Sequence, residues 1–293
     1  MVNDGNHDFA MERRLRQLSP DLHKRFTDAV FALQFNLSNY KLIFPEFTDH
    51  TNLHSLSVID FSNQLIGDQL QRMNADEIYA LLMGCYLHDT GMGITMKDYQ
   101  LFSDQLDFGD YFETHSRENY PAIIRDFHHE YSGLFIQKYQ MLFEFPSEAH
   151  RWAVMQIARG HRRTDLLDEG EYPLSFHLPD GNTMCLPYLA ALIRLADEID
   201  VTTARNPILL YDIETLTIDT EIRWYRMTRA VRALQVTERE FILTVDASDP
   251  DILEGVRHIA QKMRQTLDSC RAAVCGRTPF AITQEQVLIQ EER

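Results

Sequence analysis

Six side chains in this 293-residue sequence have the chemistry of metal ligands: His54, the adjacent pair His88-Asp89, His129, His161 and Asp197. Neutral imidazole and carboxylate both bind divalent ions, and imidazole favours the transition metals among Zn, Mn, Fe, Ni and Mg. The pair His88-Asp89 is the anchor. Ile78, Leu81, Leu82 and Cys85 stand at i, i+3, i+4 and i+7, which predicts one buried helical face, and His88 and Asp89 continue it. A carboxylate aimed into a core needs a compensating partner, because an unpaired buried charge is costly. An Arg or Lys would make a structural ion pair. A metal ion, shared with the other His and Asp residues, would make a reactive centre.

The elements that must bring these residues together are helices. Asn74 and Glu77 have the spacing of a capping box at the start of the helix that ends in the doublet. Ser19-Pro20 predicts a helix start after a polar segment over 1–18, and Leu22, Phe26, Ala29, Leu33 and Leu37 follow at helical spacing. Phe44-Pro45-Glu46-Phe47 reads as a break. A further helix opening at Thr48 or Asp49 carries His50 and His54. Residues 91–120 read as a long irregular connection that faces substrate. Helical pattern returns after Pro121 through His128 and His129, again near 147–160 up to Gly160-His161-Arg162-Arg163, and over about 187–200, where Asp197 lies beside an apolar face. His128 and His129 point about 100° apart on a helix, so either one can be the ligand. Beyond Pro207 the pattern changes: one or two short strands over Ile208–Ile218, a hairpin of 231–236 with 241–245, and a long helix from Asp249-Pro250, followed by a polar, extended tail. The expected architecture is mainly α, a helical domain over 1–206 with a small α+β subdomain and tail over 207–293.

Composition narrows the partners. The formal charge is −16, a poor background for binding long duplex nucleic acid, which needs Lys and Arg against phosphates. Cys85, Cys185, Cys270 and Cys275 form no CxxC pair and read as reduced thiols, which together with the lack of a leader sequence predicts a cytoplasmic protein. No apolar run approaches membrane-spanning length, so no membrane partner is expected.

The ordered series resembles the HD-domain superfamily of metal-dependent phosphohydrolases. Residues 54–58, His-Ser-Leu-Ser-Val, are similar to the first histidine helix of that family, residues 86–91, Tyr-Leu-His-Asp-Thr-Gly, to its doublet, and residues 195–200, Leu-Ala-Asp-Glu-Ile-Asp, to its final aspartate. His129-Glu130-Tyr131-Ser132 and Gly160-His161 resemble the extra histidines of members with two metals. The wording around Arg125, His128-His129 and 197–205 is most similar to the bacterial HD-CE branch. The branch that cleaves cyclic di-GMP has a Lys soon after the doublet and a Gly-Tyr-Pro signature. Here Thr90-Gly91-Met92 follows the doublet, which disfavours that substrate.

The resemblance implies an HD-type helical bundle and hydrolysis of a phosphate ester. His54, His88, Asp89 and Asp197 would hold one divalent ion, and Asp89 would bridge to a second held by His129 and His161. A water shared by the ions would lose a proton near neutral pH and attack phosphorus. The reaction would engage His88 and Asp89 directly, with Arg162, Arg163, Lys97 and Arg125 as phosphate binders. The expected substrate is a small nucleotide-like phosphate ester or a short single strand. Two other classes stay open: a di-iron oxygenase on the same ligand frame, and a non-catalytic metal-binding sensor. The acidic surface and the C-terminal subdomain also suggest a homodimer or a protein partner. His50, one turn before His54, reads as a ligand, a neighbour of one or a solvated residue. His115 reads as a loop residue.

Overall fold

The structure, a computed structural model, describes residues 9–33, 40–44, 52–202, 218–246 and 248–292. His50, the expected helix start at Thr48 or Asp49, the break at Pro45–Phe47, the strands expected from Ile208 and the division at 206/207 lie outside these residues.

The central element is α5 (Ala75–Leu87), buried from Asp76 through Leu87. A helix apolar on every side has to be surrounded, and this one is. The flanking helices are α1 (Ala10–Leu18), α2 (Pro20–Leu33), α4 (Asn52–Ile66), α9 (Glu148–Arg159) and α10 (Leu186–Ile199), with the one-turn α3 (Tyr40–Ile43) lying between α2 and α4 in the chain. The capping box holds: Asn74 Oδ1 accepts from Glu77 N at 2.9 Å, and Glu77 Oε2 accepts from Asn74 N at 3.1 Å. This fixes where α5 begins and hence where His88 falls at its end.

The start of the chain differs from expectation. The segment read as polar contains α1, with Met11 and Leu15 fully buried. Two apolar residues four apart suffice for a helix that packs one narrow stripe on α5. Residues 91–120 are also more ordered than expected. They hold a 3-10 turn (Thr90–Gly93), α6 (Met96–Ser103) and α7 (Tyr111–Thr114). Thr95 caps α6 by accepting from Asp98 N at 3.1 Å, and buried Asp98 is paired with Lys138 and Tyr139 of the region that follows. α8 (Tyr120–Lys138) lies across the 3-10 turn and packs on α9. Between α9 and α10, a two-residue hairpin, β1 (Phe176–His177) with β2 (Thr183–Met184), spans the expected loop.

The C-terminal part is α+β, as expected. α11 (Asp219–Ala230), which the hydropathy pattern did not reveal, precedes β3 (Val231–Val236) and β4 (Glu240–Asp246), an antiparallel pair. α12 (Pro250–Val274) starts at Asp249, whose Oδ1 accepts from Asp251 N and Ile252 N. The tail forms β5 (Gln286–Glu292), parallel to β4, giving the sheet order β3-β4-β5. α12 lies on α10, so the apolar core runs without a gap from α5 into this region. Among the described residues, no helix is long and apolar enough to cross a membrane.

Candidate metal centre

Five helices deliver one donor region each. His54 comes from the first turn of α4, His88 caps the end of α5 with Asp89 directly after it, His128 lies mid-α8, His161 follows α9, and Asp197 lies near the end of α10. His54, His88, Asp89, His128 and His161 are all buried.

The doublet is held against α8 by a close approach at Gly91. A Cβ there would lie 2.1 Å from His128 O and 2.7 Å from Ser132 N, so only glycine fits. Gly91 N donates to Ser132 Oγ at 2.8 Å, and Ser132 Oγ donates to His88 O at 2.5 Å. The turn carrying His161 is fixed by half-buried Arg194 of α10. Its Nε donates to Gly160 O at 2.7 Å and its Nη2 to Thr164 O at 2.7 Å.

Asp89 is the hub. Its Oδ2 is 3.5 Å from His54 Nε2 and 3.4 Å from His88 Nε2. Its Oδ1 is 3.5 Å from His128 Nε2 and 3.7 Å from His161 Nε2. One carboxylate therefore offers one oxygen to each of two histidine pairs, and the two triads His54/His88/Asp89 and Asp89/His128/His161 each gather donor atoms within 4.8 Å. Asp197 Oδ1 joins the first triad at 3.1 Å from His54 Nε2. Asp197 is the most open donor, 16% exposed against 5% for Asp89, so access from solvent is on its side.

The tautomers show what the cluster suits. His88 Nδ1 lies 2.9 Å from Cys85 O, His128 Nδ1 2.6 Å from Arg125 O, and His161 Nδ1 2.6 Å from Ala158 O. A carbonyl only accepts, so each Nδ1 carries the proton and each Nε2 presents a lone pair inward. His54 Nδ1 donates to Asp200 Oδ2 at 2.7 Å, with the same result. Two pairs of lone pairs then face each other, His54 Nε2 with His88 Nε2 at 3.2 Å and His128 Nε2 with His161 Nε2 at 2.8 Å. Such contacts repel unless a proton or a cation lies between them. Burial disfavours the proton: it pushes His128 down to about 3 and His161 well below the usual imidazole range. Lone-pair donors that are buried, neutral and arranged around a carboxylate are the donor set of a metal centre, and the outer Nδ1 bonds are those that orient histidine ligands.

The structure corrects one assignment. His128, not His129, faces Asp89 and His161. His129 is one position round the helix. Its Nε2 is 3.6 Å from Glu130 Oε1, and its Nδ1 has no hydrogen-bond partner among the described residues. Burial first, and then the positive charges of Arg162, Arg159 and Arg163, push it down to about 4.

The expected phosphate binders do not form one group. Arg163 Nη2 donates to Asp126 Oδ1 at 3.1 Å, and Arg125 Nη1 to Glu221 Oε1 at 3.3 Å. Lys97 is exposed on α6. Arg162 is half-buried beside the cluster, and its positive charge is felt by His128, His129 and Glu198. Glu198 pairs with Lys262 of α12 at 3.0 Å. His115 is exposed at the end of α7, stacked on Tyr111 with ring centroids 4.0 Å apart.

Sequence reasoning missed Asp200 as the partner of His54. The signal available was its position, three residues after Asp197 and thus one turn on, but the pairing spans 146 residues. Gly91, too, has a tertiary role: the approach of α8 requires a glycine there.

No curated protein matches the chain. The sequence profile of the HD-CE family does, over residues 44–273. That span runs from just before α4 almost to the end of α12 and so takes in every donor of the cluster. The chain belongs to the HD-CE family, an HD-domain-type family, and its buried His/Asp groups form a site able to bind metal ions.

Proposed function

We propose that this protein is a metal-dependent phosphohydrolase or phosphodiesterase that acts on a nucleotide-like phosphate ester or a short single strand. The observation that carries the reading is the two-sided Asp89, one oxygen toward His54 and His88 and the other toward His128 and His161. In this reading His54, His88, Asp89 and Asp197 hold one ion, and Asp89, His128 and His161 hold a second. Bound divalent ions supply a water acidic enough to ionise near neutral pH and positive charge against the phosphoryl oxygens.

The chain's own residues do the rest. The four outer Nδ1 bonds hold the rings in the one tautomer that leaves Nε2 free. Asp89 fixes the separation of the two halves. Arg162, with no ion pair among the described residues, is the first candidate to take a phosphate oxygen by a charge-assisted hydrogen bond. Arg163 and Arg125 reach a phosphate by exchanging Asp126 and Glu221 for it, and Lys97 reaches from α6.

The test is a metal-supplemented screen of mononucleotides, cyclic nucleotides, dinucleotides and single-stranded oligonucleotides, with products identified by mass. Wild type should release a phosphate-ester hydrolysis product, and Asp89→Ala should lose that activity together with most of the bound metal. Wild-type activity and metal content in Asp89→Ala would overturn the reading. An iron pair with oxygen uptake and no phosphate product would put an oxygenase in its place.

A further inference from the structure

The chain carries a strong excess of acid, yet residues 222–235 hold four arginines, Arg223, Arg226, Arg229 and Arg232, and no Asp or Glu. Three of them fall on α11 at intervals of three. A step of three residues turns about 300°, so Arg223, Arg226 and Arg229 share an arc of about 120° and climb about 9 Å along the axis. All three are exposed, while Tyr225, Thr228 and Ala230 face inward. None of the three arginines has an ion pair or hydrogen bond from its side chain among the described residues, in contrast to Arg232, which pairs with Asp246 at 2.6 Å. Among the described residues the stripe is thus a row of guanidinium groups with no acidic partner, on a protein of net charge −16.

Its place in the fold adds a second observation. Glu221, in the first turn of α11, is buried and bonded to Arg125 at 3.3 Å, and Arg125 O accepts the Nδ1 proton of His128. The start of the stripe is therefore two contacts from a donor of the metal centre.

Shape and chemistry select the ligand. The stripe lies on a convex helix surface, whereas small molecules are held in concave sites. A lipid surface needs apolar side chains between the cations to insert. Here the intervening Trp224 and Met227 are packed on the core instead, with Met227 directly against Gly255. Guanidinium groups repeated along a helix, each free to take a phosphate, suit a polymer of phosphates. We propose that the arginine face of α11 binds the backbone of a single-stranded nucleic acid. That the strand then leads into the metal centre rests on the hydrolase reading above; the binding itself does not.

The experiment is fluorescence anisotropy with a labelled single-stranded oligonucleotide and the full-length chain, in EDTA, from 50 to 200 mM salt. Three phosphate contacts on a single strand give a slope of log K against log salt of about −2, a loss of roughly 20-fold in affinity over that range. The triple variant Arg223→Gln, Arg226→Gln, Arg229→Gln should flatten the slope toward zero and weaken binding at 50 mM salt at least tenfold. The triple Arg→Lys variant keeps the charges and should keep the slope, which separates lost contacts from lost fold. Hydrolysis of the same oligonucleotide is read separately in metal-replete buffer without EDTA, so a failed hydrolase reading and a failed stripe give different results. Equal binding and slope in the glutamine variant would overturn the proposal. So would binding to anionic phospholipid vesicles with none to the oligonucleotide, which would assign the stripe to a membrane surface.

Discussion

Gly91→Ala tests the packing on which the centre depends. The added Cβ would meet His128 O at 2.1 Å, Ser132 N at 2.7 Å and Ser132 Oγ at 2.9 Å. Two of these are backbone atoms of α8 and cannot rotate away. Restoring a separation of about 3.0 Å, below which real Cβ contacts essentially do not occur, requires α8 and the doublet to part by roughly 0.9 Å. Overpacking of this kind costs about 1–3 kcal/mol. The hydrogen bond from Gly91 N to Ser132 Oγ adds about 1 kcal/mol when it is lost. A total of about 2–4 kcal/mol corresponds to a fall in melting temperature of very roughly 5–15 °C at 2–4 °C per kcal/mol.

The same displacement separates Asp89 from His128, now 3.5 Å apart, while ligand distances in a metal site tolerate only about 0.2 Å. Gly91→Ala should therefore lose the ion shared by Asp89, His128 and His161 and keep the ion on the His54 side. Ser132→Ala is the control: it removes the bonds to Gly91 and His88 without driving the helices apart, so it should lower the melting temperature yet retain both ions. Thermal unfolding with elemental analysis under metal-replete conditions reads all of this. A Gly91→Ala protein with wild-type melting temperature and metal content would refute the reasoning.

Three further outcomes follow from the geometry. His128→Ala should lose one ion per chain and His129→Ala none, as measured by elemental analysis; the reverse would restore His129 as the ligand. Asp200→Ala frees His54 to rotate and change tautomer, so metal affinity on that side should fall by 10- to 100-fold in a chelator competition, and Asp200→Asn, which keeps an acceptor oxygen, should recover part of it; unchanged affinity in both would dismiss Asp200 as a positioning residue. In metal-stripped protein His128 and His129 sit at about 3 and 4, below the ordinary value of about 6.5, so the unfolded chain binds more protons between these limits. Stability should thus be full above pH 6.5 and decline as pH falls toward 4, as read by denaturant melts; a flat profile over that window would contradict the buried neutral state.

The helices that carry the site were legible because each has a local signal. The capping box at Asn74 and Glu77 set the start of α5, and its apolar run set its depth. Other elements had no such signal. β5 buries little besides Val287, so its sequence reads as a polar tail, and only pairing with β4 makes it a strand. α11 mixes arginines with a thin apolar face and rests on α12, a contact that no window of sequence contains.

The choice between His128 and His129 was legible, though unread. Ile124, Tyr131, Ser132 and Phe135 are buried on α8 and stand at i−4, i+3, i+4 and i+7 from His128, so His128 is the centre of the inward stripe. His129 has Arg125 at i−4, half out of that stripe. Orientation of the rings is even more local. His88 and His161 each follow an apolar helix and turn Nδ1 back to the carbonyl three residues before, Cys85 O and Ala158 O. The last carbonyls of a helix lack partners within it, so a histidine at that point finds an acceptor whatever the rest of the fold does. An apolar helix with histidine in its final turn therefore fixes, from sequence alone, a neutral ring with Nε2 directed away from the helix. His54, in the first turn of α4, turns Nδ1 to Asp200, from 146 residues away, and reaches the same tautomer. The two halves of the centre thus differ in what sets them: His128 and His161 by their own helices, His54 by the tertiary fold. Loss of tertiary packing should release the His54 side first.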